Sequence, residues 1–142
     1  MKDALSNNEQ RVRIRFVTDA DLEYETNTEF SELTNWQPLY NLYVTSESTI
    51  IHLELAGVTE KEISVFLRSR YMIVTGTRIL QQGITEDHCV FHNLEIPFGK
   101  FHRRIDFPMP IEPHEYQYDL RNGILTIQLR MMREKIITIE GE

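Results

Sequence analysis

Apolar and polar side chains alternate along most of the chain between residues 38 and 131. The alternation is regular in residues 51–55, 63–67 and 72–75, and no segment carries a convincing helical stripe. A period of two predicts strands that bury one face. Turn-forming residues separate these runs at Ala56-Gly57, Gly76, Gly83, 97–99 and the cluster of Pro108, Pro110 and Pro113. Many short strands at this spacing predict an all-β sandwich or barrel.

The strongest local signal is Asn122-Gly123 between two alternating segments, 116–121 and 124–131. Both turn residues tolerate the positive φ angles of a type I′ turn, which joins the strands of a tight hairpin. A two-residue loop places Arg121 opposite Ile124 and sets the rest of the register. The predicted apolar pairs are Leu120 with Leu125, Tyr118 with Ile127 and Tyr116 with Leu129.

The N-terminal part of the chain begins its regular pattern at 11–16, with three arginines on one side and Val12, Ile14 and Phe16 on the other. This alternation indicates either a marginal edge strand with a solvated basic face or an arm that docks on a partner surface. The next segment, 18–35, carries six acidic residues and no Lys or Arg. We expect it to be mobile when alone, because it has little apolar surface to offset the entropy of ordering.

Residues 132–142 are charged first and then apolar. Ile137 and Ile139 lie on one side of an extended strand, which suits insertion into paired pockets on a sheet edge. A final edge strand of the same domain is the alternative interpretation.

The charge balance limits the range of possible functions. The 142 residues include 15 Lys and Arg against 22 Asp and Glu, a formal net charge of −7. This argues against a nucleic-acid binder, which needs a basic surface to meet phosphates. The single cysteine, Cys89, points to a reducing compartment. No signal peptide and no apolar run of about 18 residues is visible, so we expect a soluble, cytoplasmic protein without a membrane partner.

Residues that carry catalysis or bind metals are sparse in this sequence. The one candidate group is Asp87-His88-Cys89 with His92. His and Cys are capable zinc ligands, but a structural zinc site wants about four ligands and no second cysteine is present. A polar loop with two ordinary histidines is the simpler interpretation. No nucleotide-binding or hydrolase motif occurs, and the sequence predicts neither an enzyme nor a cofactor.

From Trp36 to Met131 the chain resembles the α-crystallin domain of the small heat-shock protein family. Each matching motif is weakly specific alone, but the complete set occurs in the family's order. Ala56 stands where the family usually has proline. The motifs are Trp36-Gln37-Pro38, Leu55-Ala56-Gly57-Val58, Glu62-Ile63-Ser64-Val65, Val74-Thr75-Gly76-Thr77-Arg78, residues 99–108, residues 122–127 and Ile137-Thr138-Ile139.

The resemblance implies an immunoglobulin-like β-sandwich of seven to eight antiparallel strands at 36–131, after an arm at 1–35 and before an extension at 132–142. It implies an ATP-independent holdase, which binds partly unfolded client proteins and prevents their aggregation. It also implies dimers that exchange a strand and leaves larger oligomers open. The alternative function is a dedicated adaptor of the related CS type, although such domains generally lack the long loop and the Ile-x-Ile tail.

The resemblance also implies site residues. Arg103 takes the place of the family's arginine at the dimer interface, and a plain surface arginine beside Arg104 is the alternative. The other implied interface residues are Phe91, Leu94, Glu95 and Ile96 of the lent strand and Tyr40 and Leu42 of the receiving edge. The docking motif is Ile137 and Ile139, and the receiving groove is flanked by Val65, Leu67, Tyr118 and Leu120. Ordinary core packing explains these four groove positions equally well.

Two features depart from the family pattern. The segment 132–136 spans at most about 18 Å when extended, which is short for reaching a neighbouring dimer. Phe66 stands where the family usually has a polar residue. We expect Phe66 and Ile50 to form an exposed apolar patch, with scattered exposure of single apolar side chains as the alternative.

Overall fold

Eight strands form two packed sheets in the computed structural model, which describes residues 14–17, 36–79, 84 and 87–133. The strands are β1 Arg15–Val17, β2 Tyr40–Val44, β3 Ser48–Glu54, β4 Ile63–Leu67, β5 Tyr71–Arg78, β6 Gly99–Asp106, β7 Ile111–Arg121 and β8 Ile124–Met131. Sheet A has the order β1-β4-β5-β6, and sheet B has the order β2-β3-β8-β7. The predicted all-β sandwich is confirmed.

All the described strand pairs are antiparallel except β1 with β4, which run parallel. A short 3-10 turn at Glu60–Glu62 leads into β4. Within the described ranges no helix is long and apolar enough to cross a membrane. The sequence predictions for residues 11–13, 18–35 and the tail with Ile137 and Ile139 lie outside the residues that the structure describes.

The core lies between the two sheets and is formed mainly by alternating residues of β3, β4, β5, β6 and β8. Ile51 and Leu53 of β3 face Ile127 and Leu125 of the neighbouring β8, and all four side chains are fully buried. Sheet A contributes the alternating residues of β4 and β5 from its own inner face. Burying a side chain of this size stabilises the fold by about 1.5–3 kcal/mol, so the alternation itself supplies most of the driving force.

The Asn122-Gly123 hairpin forms as predicted between β7 and β8. The φ angles are 53° at Asn122 and 80° at Gly123, as a type I′ turn requires. Each predicted pair occurs, with Arg121 opposite Ile124 and the three apolar pairs beyond it. Further along, a bulge between Ile111 and Tyr116 shifts the register of β7.

The expected patch of Phe66 with Ile50 is wrong. Phe66 pairs with Ile73 on the outer face of sheet A, and these side chains are only 2% and 7% exposed. Tyr71 packs against them, and the guanidinium carbon of Arg68 lies 5.8 Å from the centre of the Phe66 ring. Ile50 belongs to β3 in sheet B. Phe66 therefore belongs to a small second cluster that other side chains cover.

Gly76 allows β5 to approach its surroundings closely. A Cβ atom at this position would overlap the backbone carbonyl oxygen of Glu62 and would lie 2.5 Å from the ring of Phe101. Phe101 is fully buried on the adjacent strand β6 and cannot move aside without disturbing the core. The missing side chain is thus what lets the Phe101 ring lie across β5.

We expect Gly76→Ala to lower the free energy of unfolding by about 2–3 kcal/mol, because the added methyl group overpacks against backbone atoms. Urea denaturation monitored by circular dichroism measures this loss. Gly57→Ala is the matched control. Gly57 has a φ of 82°, but a Cβ added there would meet no atom within 4 Å, so only backbone strain of about 1 kcal/mol applies. Equal losses in the two variants would contradict the packing role of Gly76.

Candidate functional site

The four residues predicted to flank a groove lie on β4 of sheet A and β7 of sheet B, and we call the margin between these two strands the groove. Of its four predicted flanking residues, Val65 is fully buried in the core. Leu67, Tyr118 and Leu120 are half-buried and pack against the core from its margin. The groove is therefore the place where the core reaches the surface between two sheet edges.

Residues of the N-terminal part of the chain occupy this groove. Strand β1 adds to the edge of sheet A, with Arg15 opposite Ser64 and Phe16 opposite Val65. Ile14 is 5% exposed and joins the main core cluster. Arg15 points the other way and donates a hydrogen bond from Nε to Ser64 Oγ at 3.2 Å. The predicted sidedness of this segment is confirmed for Ile14, Arg15 and Phe16, and the segment docks on its own domain.

Phe16 connects the added strand to the opposite sheet. Its ring stacks on Tyr116, with centroids 4.1 Å apart and an interplanar angle of 16°. It also contacts Tyr118 at 5.5 Å and 35°. Tyr116 was not among the predicted groove residues. The signal was that Tyr116, Tyr118 and Leu120 follow one another at a spacing of two, because residues at that spacing share one face of a strand.

The second predicted surface is the outer edge of sheet B, formed by β2. Tyr40 and Leu42 on this strand are half-buried and pack against the core. Arg103 of β6 lies beneath this edge. Its guanidinium carbon is 4.6 Å from the centre of the Tyr40 ring, and Nη1 donates to the Pro38 carbonyl oxygen at 3.3 Å. Within this single chain, Arg103 thus contacts a ring and a carbonyl of the β2 edge rather than a carboxylate.

The predicted lent strand lies in the loop between β5 and β6, and residues 91–96 form no strand in the single chain. Leu94 and Ile96 are 55% and 75% exposed, Phe91 is half-buried, and Glu95 accepts a hydrogen bond from Asn93 Nδ2 at 3.2 Å. Ile96 lines two mainly apolar cavities of about 510 and 550 Å³. Ile96 shares one of these cavities with Pro38 and Leu39, which precede β2. Residues 91–96 do not pair with any of the described strands.

Arg78 closes the neck of that loop. The side chain is 10% exposed, and its Nε and Nη1 atoms donate to the carbonyl oxygens of Ala56 and Pro97 at 2.9 and 3.0 Å. Its guanidinium stacks 4.2 Å above the Trp36 ring, and Nη2 lies 3.6 Å from Glu54 Oε1. One planar cation therefore joins both ends of the loop, the turn after β3 and the start of the domain.

Histidine and cysteine side chains with acid–base or ligand chemistry lie on β6 and in the loop between β5 and β6. Among the described residues, no three His, Cys, Asp or Glu side chains are placed to hold a metal ion. His88, Cys89 and His92 are exposed in the loop between β5 and β6. Burial lowers the pKa of His102 below its usual range, because the imidazolium form is poorly solvated on β6.

Comparison with known proteins gives a consistent family. A sequence model of the Hsp20/alpha crystallin family matches residues 42–140. Spore protein SP21 of Stigmatella aurantiaca is 33% identical over 92 residues, which are 65% of this chain and 53% of that protein. The 22.7 kDa class IV heat shock protein of Pisum sativum is 27% identical over 94 residues, 65% of this chain and 47% of that protein. The chain spans about half the length of these curated relatives.

A solved structure shows the same fold. The chain is similar to heat shock protein 16.0 from Schizosaccharomyces pombe with a TM-score of 0.60 and 22% sequence identity. The match covers 74% of this chain and 99% of that one. It extends the likeness from sequence motifs to the complete sandwich.

We expect Arg78→Lys to lower the free energy of unfolding by about 2 kcal/mol, because an ammonium group cannot hold two carbonyl oxygens and stack on Trp36 together. Trp36 is the only tryptophan, so urea denaturation followed by its fluorescence measures the loss directly. Arg121→Lys is the control, since the Arg121 side chain is 75% exposed and pairs with the exposed Asp119. It should cost about 0.5 kcal/mol or less. A similar loss in both variants would argue against the neck contact.

Proposed function

The chain belongs to the Hsp20/alpha crystallin family, and from this premise we propose that it is an ATP-independent holdase chaperone. In this proposal it binds partly unfolded client proteins and keeps them from aggregating, without any turnover chemistry. The observation that carries the proposal is the groove between β4 and β7, which holds an extended segment through a strand edge and apolar contacts.

The groove has the properties that unfolding clients require. Such proteins expose apolar segments and unpaired strand edges. A sheet edge binds an extended segment through backbone hydrogen bonds, which depend little on sequence, while side-chain pockets add affinity. Residues 14–17 show this mode within the chain, because their backbone pairs with β4 while Phe16 reaches across to Tyr116 of β7.

We further propose that the same surface is covered at rest and opened by stress. Ile14 and Phe16 cover the groove of their own domain, and the Ile137 and Ile139 motif is the second candidate occupant. The short segment before Ile137 favours docking at close range over bridging between distant dimers. Warming would release the covering segment and expose the groove to clients. The net charge of −7 would help loaded complexes stay dispersed.

Self-association through the edge of sheet B completes the proposal. Residues 91–96 would pair with β2 of a second copy, where Tyr40, Leu42 and Arg103 receive them. The exposure of Leu94 and Ile96 supports this, because large apolar side chains at an exposed loop favour burial against a partner. A single cysteine, exposed in the same loop, fits a reducing compartment such as the cytoplasm.

The holdase proposal is tested by light scattering from a heat-denaturing model protein in buffer without ATP. The wild-type chain should suppress the scattering at a near-stoichiometric subunit ratio. The Phe16→Ser variant should begin to suppress scattering at a lower temperature than wild type. Loss of the ring weakens docking of the covering segment by about 1–2 kcal/mol, which raises the open population roughly tenfold. Gln117→Ser, on the outward side of β7, should match wild type.

A folded wild-type sample that suppresses no scattering would contradict the holdase proposal and favour a dedicated adaptor. Circular dichroism and a cooperative thermal melting transition establish that the sample is folded. Identical temperature thresholds for Phe16→Ser and wild type would contradict only the covering role of Phe16.

The dimer proposal is tested with Leu94→Asp/Ile96→Asp. Two carboxylates in the exchanged strand should weaken the dimer by at least about 100-fold, because each loses hydration against an apolar edge. Sedimentation equilibrium measures the effect. Val90→Asp is the control, as Val90 is 79% exposed in the same loop but precedes the exchanged segment. An unchanged mass in the double variant would rule out exchange through these residues.

A further inference from the structure

The groove has two positions of different character. Ile14 fills an enclosed position, where its side chain is 5% exposed within the aliphatic core. Phe16 fills an open position, where its ring lies nearly parallel to Tyr116 at 4.1 Å and tilted against Tyr118 at 5.5 Å. Ile14 lies directly before β1 and Phe16 lies within it, so one short segment fills both positions with side chains two residues apart.

The open position is built for an aromatic ring. An aromatic pair stabilises a contact by about 0.5–1.5 kcal/mol beyond the area it buries. Phe16 gains such a contact with a face of Tyr116, which is 37% exposed and presents a flat surface at the groove margin. An isoleucine in the same place would keep the apolar contact and lose the stacking. Stacking on Tyr116 therefore separates an aromatic occupant from an aliphatic occupant of similar hydrophobicity.

The middle position points away from the groove and tolerates a polar residue. Arg15 turns toward the outer side of sheet A and donates a hydrogen bond to Ser64 at 3.2 Å. The pairing also fixes the direction, because β1 runs parallel to β4 with Arg15 opposite Ser64 and Phe16 opposite Val65. Direction, spacing and side-chain type together define one kind of ligand.

We infer that the groove selects extended segments of the form aliphatic-x-aromatic, bound parallel to β4, and that Tyr116 determines the preference for the aromatic residue. This deepens the proposed holdase function and rests on it. The preferred client class is proteins that expose strands with a Phe, Tyr or Trp two residues after an aliphatic residue. The Ile137-x-Ile139 tail is, in consequence, a weaker occupant than the chain's own Ile14-x-Phe16 segment.

The test compares two labelled peptides on the full-length Phe16→Ser chain, whose groove is less occupied by its own segment. One peptide has the sequence of residues 11–18, and the other has isoleucine in place of the phenylalanine. Their charge is equal, so fluorescence anisotropy isolates the ring. We expect the isoleucine peptide to bind about 3- to 10-fold more weakly, as the stacking energy converts to affinity.

Two further chains assign the effect. In Phe16→Ser/Tyr116→Leu the two peptides should bind equally, whereas in Phe16→Ser/Tyr71→Leu the difference should persist. Tyr71 lies on the outer face of sheet A, away from the groove. Equal binding of the peptides to the Phe16→Ser chain, or a preference that survives loss of Tyr116, overturns the inference. Binding of neither peptide overturns it as well.

The peptide ratio needs no client, so its failure is distinct from failure of the holdase proposal. A chain that suppresses aggregation but binds both peptides equally keeps the proposed function and loses the selectivity. The client class is tested by adding each peptide to the scattering assay with wild-type chain. The phenylalanine peptide should reverse the suppression at a roughly 3- to 10-fold lower concentration, and equal potency would overturn the stated client class.

Discussion

The sandwich is open on the side where β4 and β7 face each other, and the apolar side chains there must be shielded from water. The interior strands of each sheet pair with their neighbours through backbone hydrogen bonds. The margin between the sheets is shielded only by a segment that adds to the sheet edge. In this chain the three-residue strand β1 and the preceding Ile14 provide this shielding, with Ile14 in the core and Phe16 against Tyr116 of β7. The fold is thus completed by a segment distant in sequence from the strands that it joins.

The Arg78 guanidinium holds together the two ends of the loop between β5 and β6. Arg78 holds the carbonyl oxygen of Pro97 and lies over Trp36, so the loop between β5 and β6 leaves and returns through one fixed neck. A guanidinium is suited to this place because it is planar, always charged and able to donate in several directions. A fixed neck would let the residues between Arg78 and Pro97 form a new pairing while the ends of β5 and β6 stay in register. For this reason the Arg78 contacts at the ends of the loop are compatible with the proposed exchange of residues 91–96 between two copies.

Sequence predicted the local features best. The Asn122-Gly123 hairpin was predicted with its register, because turn chemistry and alternation act over a few residues. The stacking of Phe16 on Tyr116 escaped prediction, since it joins positions about 100 residues apart and depends on how β1 adds to β4. Phe66 was assigned to an exposed patch because alternation places it outside the core. Alternation does not show that Ile73 and neighbouring side chains cover it.

A short covering strand is marginally stable by its composition. Burying an isoleucine and most of a phenylalanine gains about 3–6 kcal/mol, while ordering four residues costs about 4–8 kcal/mol of backbone entropy. Hydrogen bonds to β4 add about 1 kcal/mol each, so the favourable and unfavourable contributions to docking are of similar size. The balance between the covered and the open groove is therefore set by a small difference between larger opposing contributions, and that difference determines the open fraction. Heating raises this fraction because ordering entropy grows in weight with temperature. A groove with tighter cover would stay closed under the stress that produces clients, and one without cover would expose its apolar margin to other copies. Under the proposed function, the small area that Ile14 and Phe16 bury in the groove is therefore what a reversible binding surface requires.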